Sequence, residues 1–338
     1  MATANQQITK EKFSFSSSIA ADVWHPKDNS KAFEWWYFDA LSEDGRDAVV
    51  VIFLDNFIFS PRYNSGNRKH NKLTEKFRKK KEIDYNKCYP ALAFTYYRDG
   101  KPKYRAINEF APEEFSASQD TPSCQIGNNH FRLESAPYGS GYILSINAKL
   151  KHNRNLSASF EWLTVESDFL PDKPFDTQEA HNWNLVVSRA DVTGRINVND
   201  DKNQSLDVVN FRGTGYHDHN LDNRWLPETV GDWQWGRAHF HDATAVFYRY
   251  KETSQQNPTT KLFTVQNGIL RDKDSSYEEQ IFARDKFGIK YPQRITLVTE
   301  DNTRLRVKQT NIIDSSFFYL RFLSEMTLTL RDGNPRKT

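Results

Sequence analysis

The chain has 338 residues, long enough for two domains with buried cores, and a formal net charge of +2, which points to no nucleic-acid partner. Two cysteines, Cys88 and Cys124, make neither a disulfide framework nor a thiolate zinc site. No apolar run approaches the ~20 residues of a spanning helix, and the first residues hold no apolar signal core, so a cytoplasmic protein is expected.

In chain order, residues 1–30 read as an N-terminal arm, 31–225 as a first β-domain and 226–338 as a second. The first domain opens at Phe33 with "FEWWYFDALSEDGRDAVVVIF", a Trp-rich strand, an "SEDGR" turn and a β-branched strand. The segment from Asn67 to Lys87, "NRKHNKLTEKFRKKKEIDYNK", is strongly basic. It reads as a solvated insertion, or as a transient contact between residues 68–81 and an anionic membrane, where each basic residue contributes about 1 kcal/mol. "YPALAFTYY", "GYILSINAKL", "LSASFEWLTV" and "WNLVVSRADVTGRINV" follow as further strands, and "NDDKN" at Asn199 as a hairpin turn. "LDNRWLPETVGD" reads as the linker, joining the domains near residues 222–231. The second domain then opens at Asp232 with "DWQWGRAHFHDATAVFYRY" and continues through "RITLVTE" and "MTLTLRDG". No long amphipathic helix stands out. The chain is all-β, of short antiparallel strands in barrels or sandwiches. The two Trp-rich openings look like a repeat, which predicts equivalent places for Trp36 and Trp235 in their domains.

Aromatic residues are abundant, with 8 Trp, 15 Tyr and 24 Phe. They fit ordinary β-structure, or a deep cavity walled with rings. No phosphate-binding glycine loop, dinucleotide fingerprint or serine-hydrolase elbow is present. The chemistry concentrates in "FRGTGYHDHN", from Phe211 to Asn220. On a strand, Tyr216, Asp218 and Asn220 share one face, and His217 and His219 share the other. With the histidines facing inward, His217 and His219 join His239 and His241 of "AHFHD" in a four-imidazole metal site, or form a hydrogen-bonded interface. With Asp218 facing inward, an apolar wall raises its pKa and keeps a proton ready for donation to an alkene. Trp36, Trp183 and Trp235 are then the rings that stabilise the resulting cation. The competing role for Asp218 is a turn or a salt bridge to Arg237.

The stretches "EWWYFDA" at Glu34, "HNWNLVVSRADVTGRI" at His181, "FRGTGYHDHN" and "DWQWGRAHF" resemble the carotenoid 1,2-hydratase (CrtC) and AttH-like superfamily. The resemblance implies two lipocalin-like β-domains around a ligand cavity, with no metal and no organic cofactor. It assigns catalysis to Tyr216 and Asp218 of the Gly-Tyr-x-Asp-x-Asn motif and to Trp183. Glu34, Trp36, His219, Asn220, Trp235 and Arg237 are the candidate substrate contacts, with Glu34 as the alternative acid. The chain departs from the hydratase pattern at His217, His219 and Asn182, and in its basic insertion. The expected function is protonation of a double bond in a hydrophobic isoprenoid or polyene, followed by hydration or cyclisation. The alternatives are a pericyclase that only shapes a polyene, and a non-catalytic lipid-binding protein.

Overall fold

The computed structural model describes residues 13–27, 29–65, 88–137, 139–170, 181–316 and 319–338. The basic segment proposed to meet a membrane lies outside them. Alternating apolar and polar side chains build strands, and turn residues end them. At the turn after Asn199, for example, Asp200 Oδ1 accepts from the backbone N–H groups of Lys202 and Gln204, and Asn203 takes a φ of 62°.

The first sheet holds β1 (Phe13–Ser16), β2 (Phe33–Ser42), β3 (Asp47–Leu54), β4 (Ala91–Arg98), β5 (Lys101–Glu109), β6 (Phe115–Ala117), β7 (Ser123–Ile126), β8 (Asn129–Ala136), β9 (Gly139–Lys149), β10 (Asn155–Ser167), β11 (His181–Asn199) and β12 (Ser205–Asp222). Its path is β5-β4-β3-β2-β12-β11-β10-β9-β8-β7-β6, and β1 lies parallel to β11 off that path. The sheet curls on itself. Asn108 on β5 exchanges two hydrogen bonds with Lys149 on β9, and Trp36, Phe38, Phe53, Phe131, Tyr142 and Trp162 pack inside the curl. The segment read as an arm therefore supplies a strand of this sheet from residue 13 onward.

The second sheet is a meander of β13 (Val230–His239), β14 (Thr244–Glu252), β15 (Thr259–Gln266), β16 (Ile269–Arg284), β17 (Lys290–Thr299), β18 (Arg304–Ser315), β19 (Leu320–Thr329) and β20 (Pro335–Lys337). The architecture is two curled antiparallel half-barrels. Only two short α-helices occur among the described residues, α1 (Pro61–Ser65) and α2 (Leu226–Thr229), the latter in the connection between the sheets. None is long and apolar enough to cross a membrane.

A third apolar cluster fills the space between the sheets. Trp35, Tyr37, Trp183 and Tyr216 come to it from the first sheet, and Tyr248 and Phe263 from the second. This layer corrects the expectation for the Trp-rich repeat. Trp36 points into the first curl, whereas Trp235 points into the layer between the sheets. The residue that shares Trp235's layer is Trp35, whose ring lies 5.4 Å from that of Trp233. Strand alternation makes a shift of one residue a change of face.

Candidate active site

Two glycines bring the site strand close to its neighbours. A Cβ on Gly213 would stand 2.1 Å from the backbone oxygen of Leu41, and one on Gly215 would meet the Trp162 indole at 2.4 Å. The "GTG" before Tyr216 thus lets β12 lie flat between β2 and β11. Register then decides the neighbours. Across β12 and β2, Asp218 pairs with Tyr37, Tyr216 with Asp39, and Asn220 with Trp35. Across β11, Trp183 pairs with Asn220.

Asp218 is 3% exposed and receives three donors. Its Oδ2 accepts from the Tyr216 hydroxyl at 2.7 Å and from Trp183 Nε1 at 3.1 Å. Its Oδ1 accepts from Asn220 Nδ2 at 2.8 Å. Burial raises its pKa, and the bonds from Tyr216 and Trp183 only partly offset this, leaving it pushed up to about 6. Rings surround it. Tyr216 stacks on Trp235 at 5.4 Å, and Trp183 stacks on Tyr248 at 4.4 Å. Tyr248 donates to Asn220 Oδ1 at 3.3 Å and sits 2.7 Å from His181 Nε2. His181 is held near 3 by burial and by the charge of Arg224, so it is neutral. Arg237 does not reach Asp218. It pairs with Asp39, its guanidinium carbon 5.9 Å from the Tyr216 ring centre.

The structure therefore brings Tyr216, Asp218, Asn220, Trp183, Trp235 and Arg237 to one layer. It puts Glu34, Trp36 and His219 elsewhere, against the sequence expectation of a shared set of substrate contacts. These three lie on the opposite face of β2 and β12, inside the first curl. Trp36 stacks on His219 at 4.8 Å. Both imidazole nitrogens of His219 face carboxylates, Nδ1 to Asp22 at 3.1 Å and Nε2 to Glu34 at 2.7 Å. Burial opposes its charge, but these bonds win and push it up to about 9. Glu34 is buried too, yet the Lys27 ammonium, His219 and His25 hold its carboxyl well below the usual carboxylate range. An ionised, committed Glu34 has no proton to give, which corrects its place as the alternative acid.

The four-histidine arrangement does not form either. His217 bonds Asp22 at 2.9 Å and the Tyr37 carbonyl at 3.0 Å. His239 bonds the Ser188 carbonyl at 2.8 Å, and His241 is exposed. Ligand atoms of His25, Glu34 and His219 do lie within 4.8 Å of one another. Within that group His219 Nε2 is hydrogen-bonded to Glu34 Oε1 at 2.7 Å, and the Lys27 ammonium pairs with the same carboxylate.

Aromatic side chains pack around Asp218 in this layer, as expected of a ring-lined wall. Phe15 packs 5.2 Å from Trp183 and 4.4 Å from Phe263, and Phe13 lies 5.1 Å from Tyr248. A concavity of about 380 Å³ opens elsewhere, bordered by Val165 and Leu270. Sequence reading missed Tyr37 and Trp35, although the alternation in "FEWWYFD" separates them from Glu34 and Trp36. It also missed Tyr248, His181 and Asp22, which carry no local signal.

Comparison with known proteins gives the family and the fold. The family described as carotenoid hydratase CrtC matches residues 163–333. A hydroxyneurosporene dehydrogenase of Chlorobaculum tepidum is 27% identical over 316 residues, covering 91% of this chain and 81% of that protein. Among solved structures, an AttH-like protein of Nitrosomonas europaea aligns with a TM-score of 0.59 at 15% identity, covering 94% of each chain. CghA, in a structure with Sch210972, aligns with a TM-score of 0.57 at 13% identity over 95% of this chain and 92% of that one. At these identities the two structures show a shared fold.

Proposed function

The chain belongs to the CrtC carotenoid hydratase family, and from that premise we propose that it protonates a carbon–carbon double bond of a hydrophobic polyene, with Asp218 as the acid. The observation that carries this reading is a carboxyl group buried in a ring-lined layer, held by three donors and pushed up to about 6. A buried carboxyl of this kind keeps a share of its protons near neutral pH.

In the step itself, the alkene π pair takes the Asp218 proton and forms a C–H bond. The neighbouring carbon becomes a cation and Asp218 a carboxylate. The faces of Trp183, Tyr216, Trp235, Tyr37 and Tyr248 each stabilise such a cation by about 0.5–2 kcal/mol. Tyr216, Trp183 and Asn220 stabilise the carboxylate formed at the same moment. Water adds to the cation and loses a proton, giving hydration, or a second double bond attacks it and moves the charge to a new ring carbon, which is discharged by loss of a proton, giving cyclisation. The proton lost in the quench returns to Asp218, which closes the cycle. Substrate entry requires the rings of β1 to give way, because Phe13 and Phe15 occupy the space beside Trp183.

Asp218→Asn tests the proposal. It keeps the size and most hydrogen bonds but removes the acid, so polyene turnover falls by about 10²-fold or more. Polyene binding, followed by tryptophan fluorescence, persists. Near wild-type turnover in this variant would sink acid catalysis and leave a reading in which the protein only shapes the polyene.

A further inference from the structure

Arg321 on β19 enters the layer between the sheets beside Tyr37. Its guanidinium carbon stands 5.6 Å from the centre of the Tyr37 ring. One terminal nitrogen donates to the Tyr97 hydroxyl at 3.3 Å, and among the described residues this is its only hydrogen bond. It makes no ion pair among them either, although Asp314 is its direct partner in the β18–β19 register. The reason is that Asp314 is already taken, by the Arg105 guanidinium and by the hydroxyls of Tyr97 at 3.2 Å and Tyr319 at 2.7 Å. The nearby Asp39 is likewise held by Arg237. Three guanidiniums thus share two carboxylates, and the excess charge falls on Arg321. The residue is half-buried, and among the described residues its remaining N–H groups have no acceptor.

A cation left partly desolvated against aromatic rings costs free energy, and a partner of opposite charge recovers it. The guanidinium fork is shaped for the paired oxygens of a carboxylate, enolate or phosphate. Tyr37 links this fork to the proposed acid. It faces Asp218 across the strand pair, and its ring lies 5.2 Å from Trp235 and 6.4 Å from Tyr216. A molecule lying along Tyr37 would reach Asp218 at one end and Arg321 at the other. We propose that Arg321 receives an anionic oxygen group at one end of the substrate, so that the preferred ligand is a polyene carrying a carboxylate or an equivalent oxyanion. This deepens the reading above and rests on it for the polyene part.

The test uses a matched pair of probes, all-trans-retinoic acid and its methyl ester. They have one polyene skeleton and differ in charge. Binding is measured by quenching of tryptophan fluorescence at a pH where the acid is ionised. The wild type should bind the acid about tenfold or more tightly than the ester, with the difference shrinking as salt is added. Arg321→Gln, which keeps a hydrogen bond to Tyr97 without the charge, should abolish the preference while ester binding is unchanged. Arg321→Lys should retain part of it. Equal affinity of the wild type for acid and ester would overturn the proposal, as would a preference that survives in Arg321→Gln or a failure of both probes to bind. Asp218→Asn separates the two readings. If that variant still turned over polyene while the acid preference held in the wild type and vanished in Arg321→Gln, protonation would fall and the anion site would stand.

Discussion

At the scale of single residues, two side chains adjacent in sequence have raised pKa values for opposite reasons. Asp218 faces rings and is pushed up to about 6, while His219 faces two carboxylates and is pushed up to about 9. The sign of the first sets a pH dependence. A carboxyl raised above its ordinary value is increasingly protonated as pH falls through about 6. The proposed acid step therefore gains rate from the alkaline side down to that pH and levels off below it. The same shift means that Asp218 favours the folded state most at acid pH, and that this contribution is lost as pH rises through about 6. Tyr216→Phe removes a donor that stabilises the carboxylate, so the pKa rises further and the falling limb of the rate profile moves to higher pH. Its loss of rate should be smaller than that of Asp218→Asn, because the acid remains. A pH–rate profile of both proteins checks the direction, and a limb shifted to lower pH would contradict it.

At the scale of elements, strands β2 and β12 separate two environments. The face inside the first curl carries the ionised set of Asp22, Glu34, His219 and Lys27, and the other face carries the ring layer. Substitution can tell the two sets apart. Glu34→Ala leaves the Lys27 ammonium and the His219 imidazolium without one of their buried partners. Stability should fall by about 3–5 kcal/mol in denaturant unfolding. Turnover per folded molecule should stay near the wild-type value, because Glu34 points away from Asp218. A Glu34→Ala protein that folds with unchanged stability but turns over no polyene would reverse the assignment of faces. Among the elements themselves, β16 escaped the sequence reading because its 16 residues are mostly polar and exposed, so no apolar alternation marks them. β12 was legible only in its last third, where "GYHDHN" supplied the pattern.

At the scale of the molecule, the two sheets share a core and are not independently closed. Trp35, Tyr37, Trp183 and Tyr216 pack against Val246, Tyr248, Phe263 and Ile313, so neither sheet buries its ring-lined face without the other. Heating should therefore give one cooperative transition, coincident by far-ultraviolet dichroism and by tryptophan fluorescence. Two separated transitions would show that the sheets are held together weakly. The candidate site lies in this shared layer and inherits its dependence on both sheets: Tyr248, Trp235 and Arg321 come from the second, and Asp218, Tyr216 and Trp183 from the first.

The sequence alone determined the all-β class and the side on which each residue of "YHDHN" stands, because a strand's period of two is a local property of the backbone. It also carried the family likeness that singled out Tyr216, Asp218 and Trp183. Only the tertiary structure decided what each face meets. Asp22 approaches His217 and His219 from about 200 positions away in the chain, Tyr248 reaches Asn220 from the other sheet, and Arg321 lies beside Tyr37 with its register partner Asp314 already occupied. Trp36 was read as a ring for the cation and Glu34 as a substrate contact or alternative acid, and one residue of offset from Trp35 puts both on the other face. Charge, burial and pKa at the site depend on contacts between segments distant along the chain. No pattern within a single segment carries that information, since the same alternation is satisfied whichever face the fold turns toward the rings.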